Sequence, residues 1–487
     1  MAIFGFHLIL TLLSATIFNK IQSYFGLCNY FVFKGLYYYL LESSLFNRNK
    51  QHKEQPKITK KTKGSSTSQI NNKISSTEKQ QQQLNKDKDR LLRLPLNLNS
   101  LLGVPFFDSI IWTFNYSCFA LIIFILSDLY NLLLPENKDL NASLIWTFCA
   151  LILQINVLLN IAFEKLTVVE LFPERNTLVC ASGFLFLGSL IFNAFADQFL
   201  DIEITKGYIH FIDSLNDFIK TFGFLPLFSS LNAHSPLLFL IILAFLFSII
   251  LSAFFFPLLQ FTSLYFDSIE NNLEEKELFN KNDFLKRLFL HFSFLSPIGI
   301  FLLFLRPIVD QILETQIINY EQLKSLRLLL LFLILIAKIS VSKTFLQTFL
   351  DKPKNIINEY SFKNMKEEER QKKIANYASY ACTAALQYYM PITIILSIGL
   401  LLKNFADISF YSLLPEQYFG KIEQKSLPIL SKQNDQKSII LNILFSKELH
   451  EPLWTLALTN LIFGQIIICL FGVLMRKTMG GGRDGKR

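Results

Sequence analysis

Five polar residues stand where apolar surroundings make them costly: Asp128, His291, Arg306, Lys338 and Gln387. Asp128 interrupts ILSDLYN, Lys338 sits in LILIAKISVSK, and Arg306 ends an apolar run and is followed by Pro307. A charge at the centre of a bilayer costs at least about 2.5–3.5 kcal/mol on insertion scales, so such residues face one another, water or a partner. The chemistry open to them is ion pairing, proton relay or the lining of a polar path. Arg306 and Lys343 lie close enough to run ends for their stems to carry the charge to the interface. Asp128, late in its run, reads as an interfacial carboxylate. Lys338 has apolar neighbours from Leu328 to Ala337 and is the ionisable residue expected to be buried. Asp128 is the carboxylate expected to neutralise it if their helices pack together.

A neutral set accompanies them: Gln154, Asn156, Asn160, Asn193, Gln387 and Gln465. Hydrogen bonds between membrane helices, about 0.6 kcal/mol on average and up to 1–2, account for these without any transport role. Asn156 and Asn160 share a helix face at i, i+4 and are expected to form a buried seam. His291, near a run boundary, reads as a structural donor rather than a proton relay.

The elements that must position these residues are eight apolar stretches: Ile110–Leu134, Leu144–Phe163, Leu178–Phe195, Leu237–Leu259, Leu288–Leu305, Leu326–Phe345, Tyr377–Leu402 and Leu453–Met475. A hydrocarbon core of about 30 Å needs roughly 20 apolar residues in a helix, and Leu237–Leu259 contains no ionisable residue at all. The expected fold is therefore all-α, a polytopic membrane bundle of about 8–9 transmembrane helices with a disordered basic linker near the N-terminus. Residues 1–23 supply the possible ninth, an uncleaved anchor or alternatively a signal peptide that lacks the usual positive n-region. Residues 24–46, dense in Tyr and Phe, suit an interfacial helix, because Tyr rings favour the headgroup zone. Prolines 257, 297, 307 and 391 lie within or beside spans and should kink or stop them.

Composition agrees with this class. Charged residues make up 17% of the chain, below the roughly 25% of soluble domains. The 50 Phe, with abundant Lys, Asn and Ile, reflect an AT-rich coding bias more than a need for aromatic ligands. The net charge of +9 lies in loops between spans and is no nucleic-acid signal. The six Cys are scattered without a CxxC pair, so they act as small apolar packers rather than zinc ligands or a disulfide frame. P-loop, GxSxG, HExxH and His-x4-Asp patterns are all missing. No catalytic residue, cofactor or metal is implied.

Residues 47–100 are expected to form the linker. Its polar part, Asn47–Arg93, has almost no apolar surface to offset the entropy of ordering. Residues 101–476 form the polytopic domain and 477–487 a basic tail. If the linker is cytosolic, alternating spans place Glu164–Asn176, Gln260–Arg287, Asp351–Lys373 and the tail beside it, collecting 31 of the 47 Lys and Arg on one side. The opposite side receives the acidic loop Asp197–Lys220 and the Asn-Ala-Ser sequon at Asn141. Glycosylation acceptors face the lumen, so two separate cues agree. Asn115-Tyr-Ser also matches the sequon but lies inside an apolar run.

Several strings resemble the transmembrane protein 161 family. They are MAIFGFHLILTLLSATIFNKI at the start, LNASLIWTFCALIL from Leu140, ERNTLVCASGFLFL from Glu174, AFFFPLLQ from Ala253, HFSFLSPIGIFLLFLRPI from His291, LRLLLLFLILIAK from Leu326 and ALQYYMPITIILSIGLLLK from Ala385. They occur in the family's order and fail mainly in Asn47–Arg93 and Leu413–Ser446. The resemblance implies a non-enzymatic multi-pass protein of the plasma membrane or an endomembrane. It implies an association with the tuning of potassium and calcium currents, through channels or other membrane proteins, and with protection under oxidative stress. Family members often carry a sequon after an early Leu-Cys, whereas Cys28-Asn29-Tyr30-Phe31 here is no acceptor. The alternative from the residues themselves is a transporter or channel with Asp128, Lys338 and Arg306 along its path.

The topology has a direct check. Asn141 is expected to carry a glycan, seen as a mass shift on glycosidase treatment that Asn141→Gln abolishes. An unglycosylated protein whose C-terminal tag is reached from outside would invert the assignment.

Overall fold

The computed structural model describes residues 6–24, 26–41, 91–96, 101–133, 142–167, 172–221, 236–274, 281–357, 365–408, 410 and 446–480. The chain divides into two compact units: residues 1–28, 108–342 and 386–487 form the first, and 29–107 with 343–385 the second.

Where no water reaches the backbone, a spanning segment must satisfy its own N–H and C=O groups, and a helix does so completely. The apolar runs accordingly fold as helices. These are α2 (Phe107–Leu133), α3 (Ala142–Thr167), α4 (Phe172–Phe199), α6 (Leu237–Glu274), α7 (Lys281–Leu302), α9 (Tyr320–Ile356), α11 (Ala381–Phe405) and α12 (Lys447–Gly480). Among the described residues, eight stretches are long and apolar enough to cross a membrane. The run from Tyr377 begins in a separate helix, α10 (Glu367–Ser379), and the break falls at Tyr380. Helix α1 (Phe6–Tyr24) packs on α3 and also meets α2, where the Phe18 and Phe119 ring centres lie 5.2 Å apart.

The prolines behave in two ways. Pro257, Pro297 and Pro391 are carried inside α6, α7 and α11. Pro307 sits in the first turn of the short α8 (Arg306–Glu314), where its missing N–H costs nothing. The acidic segment read as a loop contains a helix, α5 (Ile204–Thr221). Its first turn is capped from a distance: the Asp197 carboxylate accepts the Ile204 N–H at 2.9 Å and the Thr205 N–H at 3.2 Å.

Charged partners cluster at helix ends in the order that alternating crossings require. Asp128 meets Lys403, Ser143 meets Asn404, and Asp201 meets Arg327, all at ends joined by one set of loops. Arg476 meets Asp267 and Glu270 at 2.7 and 2.9 Å at the ends joined by the other.

Helix contact in a bilayer relies on close approach and shape, since lipid is as apolar as the core. Glycines supply the approach on α12, where Gly464 lies against Leu251 of α6 and Gly472 against Thr262. Phe192, Phe301 and Phe463 form a three-ring cluster joining α4, α7 and α12, with the closest pair 4.8 Å apart.

In the second unit, the segment expected to be one interfacial helix is not one. A π-helical turn (Asn29–Phe33) leads into strand β1 (Tyr37–Leu41), which pairs antiparallel with β2 (Leu91–Pro95) from Tyr37↔Pro95 to Leu41↔Leu91. Three successive tyrosines favour a pleated, half-buried surface over a helix. Gln347 both donates to and accepts from the Tyr37 backbone, at 3.2 and 3.0 Å, and so pairs the strand's open edge. Leu41 packs with Ile374 of α10, Leu91, Ile356 and Ile357. The proposed linker therefore ends before Leu91; its remainder, 47–90, lies outside the described residues, as does Asn141.

Gly207 of α5 approaches the backbone of α12 so closely that a Cβ there would collide with the carbonyl oxygen of Glu448, whereas Gly188 on α4 faces open space. Alanine is about 1 kcal/mol better than glycine in a helix interior, so Gly188→Ala should leave the unfolding midpoint level or raise it. Gly207→Ala should instead lower stability by roughly 1–3 kcal/mol, as overpacking does. Thermal unfolding of the detergent-purified protein checks both, and equal responses would remove the close contact.

Candidate functional site

Two neighbouring helix breaks open a cavity of about 720 Å³ at one end of the first unit. After α4 the chain turns through Leu200–Glu203, and after α7 through Leu303–Leu305. The breaks satisfy one another, since Leu200 and Leu305 form an isolated antiparallel bridge and Asp201 N–H donates to the Phe304 carbonyl at 3.0 Å. This fixes Asp201 at the cavity wall. Its carboxylate accepts from Arg327 of α9 at 2.9 Å and from the Tyr320 hydroxyl at 3.4 Å. Arg327 is only 5% exposed, and its guanidinium lies over the Phe304 ring, 5.0 Å from the centre. One turn earlier on α9, Lys324 meets Glu451 of α12 at 2.5 Å. Glu203, Lys206, His210, Lys447 and Glu448 complete the charged lining. Acids and bases balance, so the vestibule is polar without being strongly of one sign. Among the described residues, no three His, Cys, Asp or Glu stand together as metal ligands.

Below the vestibule, polar side chains are paired across helices. Ser397 of α11 donates to the Gln154 Oε1 at 2.9 Å, the Gln154 amide donates to Ser117 of α2 at 2.9 Å, and Ser117 donates to its own helix at Thr113. A second seam runs from Ser189 to Asn460, then to Asn193, and ends on the Leu240 carbonyl of α6. The Tyr389 hydroxyl donates to Ser342 at 2.7 Å. The seam expected at Asn156 and Asn160 is not there. Both are exposed on the outer face of α3, and the buried residue is Gln154. The sequence separation placed the two asparagines on one face but carried no information about which way that face points.

The partner expected for Lys338 is also different. Asp128 binds Lys403 at 2.7 Å, and the Lys403 ammonium further lies 4.8 Å from the Phe124 ring centre. Lys403 ends its apolar run, and for that reason it reads as a flanking charge. Lys338 instead faces the Phe261 ring, 5.3 Å from its centre, in a small pocket shared with Gln387 and Gln465. His291 is held by the Tyr265 hydroxyl at 2.7 Å, a structural contact, and Tyr265 stacks on Phe294. Arg306 opens α8, beyond the end of its span. Lys343 donates to the Tyr30 carbonyl at 3.2 Å within the second unit. Asn115 is buried in α2, out of reach of any glycosyltransferase. None of the six cysteines is in a disulfide.

The vestibule and the Lys338 pocket lie on the same three helices. Leu328, Leu402 and Leu458 line the first; Leu335, Ile395 and Gln465, two turns or about 10 Å along α9, α11 and α12, line the second. Leu331, Ile398 and Leu461 fill the interval and are buried.

Long apolar helices, charges gathered at their ends and polar seams within define an integral, multi-pass membrane protein of the helical-bundle class, in contact with the lipid bilayer. The family model described as "Predicted transmembrane protein 161AB" matches residues 2–479, and the chain belongs to that family. No solved structure matches it.

The pairing of Asp128 is open to a double-mutant cycle. Asp128→Asn and Lys403→Met should couple by about 0.5–3 kcal/mol in unfolding free energy, whereas Asp128→Asn and Lys338→Met should add to within roughly 0.5 kcal/mol. Coupling in the second cycle instead of the first would restore the Asp128–Lys338 pair.

Proposed function

We propose that this protein is non-catalytic and acts through a membrane partner, modulating potassium or calcium currents, or stress-protective signalling, in the plasma membrane or an endomembrane. One observation carries the reading. Asn156 and Asn160 expose carboxamides one turn apart on the outer face of α3, within the Ser143–Glu164 span. Acyl chains offer these groups no hydrogen bond, and a polar group left without one in hydrocarbon is costly. The element that can meet them at that depth is another helix, and Asn side chains bond across membrane helices. The occupant is therefore a transmembrane helix of a partner protein. The buried leucine and isoleucine layer between the vestibule and the Lys338 pocket supports a regulator over a conduit.

A second reading, a transporter with its own polar path, rests on the vertical alignment of the same two cavities. The two readings separate in one pair of measurements. Purified protein in liposomes should pass no more potassium than empty vesicles, while expression in an excitable cell should change potassium or calcium currents. Asn156→Leu with Asn160→Leu should abolish that change and leave the unfolding midpoint unaltered. Flux through the liposomes would favour the transporter, and a double variant that still changes currents would remove α3 as the docking face.

A further inference from the structure

We infer that the Lys338 pocket is a binding site for one small inorganic anion, chloride being the physiological candidate, held between α6, α9, α11 and α12. The inference stands apart from the docking face on α3. Three observations lead to it.

The first is charge. Among the described residues, the Lys338 ammonium has no carboxylate within ion-pair distance and no hydrogen-bond acceptor; the Phe261 ring lies 5.3 Å away and the Cys469 thiol is a further electrostatic neighbour. Asp128, the carboxylate that sequence reasoning assigned to it, is engaged by Lys403.

The second is the kind of polar group left over. Gln465 is 4% exposed, lines the pocket, and holds a buried Nε2 without an acceptor. The Tyr388 hydroxyl beside it already donates to the Lys338 backbone carbonyl at 2.6 Å. Lys338 and the Gln465 Nε2 are thus both donors without an acceptor, one of them cationic, and Gln387, whose carboxamide can turn either end inward, lines the pocket beside them. A concave site made of an ammonium and an amide N–H is complementary to an anion, and water or a neutral solute would leave the charge uncompensated.

The third is size. The pocket holds about 30 Å³, above the roughly 10–15 Å³ that one water needs. A monatomic halide fits that space. Phe261, Pro257 and Pro391 wall the site. A cation at that depth needs a counter-charge, water or another partner, and the fold leaves a small hole beside it.

The experiment uses the full-length protein, purified in detergent, with sodium chloride exchanged for sodium gluconate at constant ionic strength. A ligand that binds only the folded state raises the unfolding midpoint. The expected result is a rise of at least about 2 °C at physiological chloride, kept in Lys338→Arg, reduced in Gln465→Leu and lost in Lys338→Met. Chloride NMR on the wild-type protein gives a readout that needs no variant: bound chloride should broaden the line, and bromide should compete. Equal midpoints in chloride and gluconate together with an unbroadened line would overturn the site, and so would a chloride effect that survives Lys338→Met.

Discussion

The hydrocarbon core of a bilayer offers no hydrogen bonds, and this one deprivation accounts for most of what the first unit looks like. Backbone groups must close on themselves, so every crossing is a helix. Helices are also allowed to be long: α6, at 38 residues, extends about 57 Å and carries its charged end well past the apolar zone. Irregular backbone is confined to helix ends, and where two breaks lie together, at Leu200 and Leu305, each supplies what the other lacks. Side chains obey the same rule. Gln154, Asn193 and Asn460 sit deep in the unit because each is answered by a residue on another helix.

Against that background the two intramembrane lysines differ. Lys403 has a carboxylate at 2.7 Å and a ring beneath it, so its charge is compensated inside the chain. Lys338 has a ring, a thiol and amides about it but no carboxylate among the described residues. The vestibule behaves like Lys403, with Arg327 matched to Asp201 in the turn after α4 and Lys324 to Glu451 of α12. Compensation across helices ties α4, α9 and α12 to one another at that end, and Arg476 ties α6 to α12 at the other. Removing one partner from such a pair costs more than never having had it, because the remaining charge is left without water.

Much of this was legible in the residues. Eight helices follow from eight runs of apolar composition, because length against bilayer thickness is a strong constraint. Lys338 and Gln387, singled out as costly, line one pocket. What could not be read is direction and partnership. Asn156 and Asn160 lie on one face by spacing, yet only packing decides that the face is outward. Lys403 pairs with a residue 275 positions away, a distance that no local pattern spans. The α5 segment reads as a loop because the five acids of Asp197–Lys220, two of them within α5, mask an amphipathic helix, and the tyrosines from 37 to 39 read as interfacial because their strand partner lies beyond the linker.

The stitched breaks at Leu200 and Leu305 have one more consequence. The frame of the vestibule is main chain hydrogen-bonded to main chain, from the Leu200–Leu305 bridge to the Asp201 amide on the Phe304 carbonyl. Main chain is common to all residues, so such a frame is indifferent to the side chains it carries. Glu203, Lys206, His210 and Glu448 can therefore be exchanged over evolutionary time without dismantling the cavity they line. Heritable change in what the vestibule prefers comes at little risk to the shape that makes it a vestibule, which is the condition under which one architecture diversifies into relatives with different tastes.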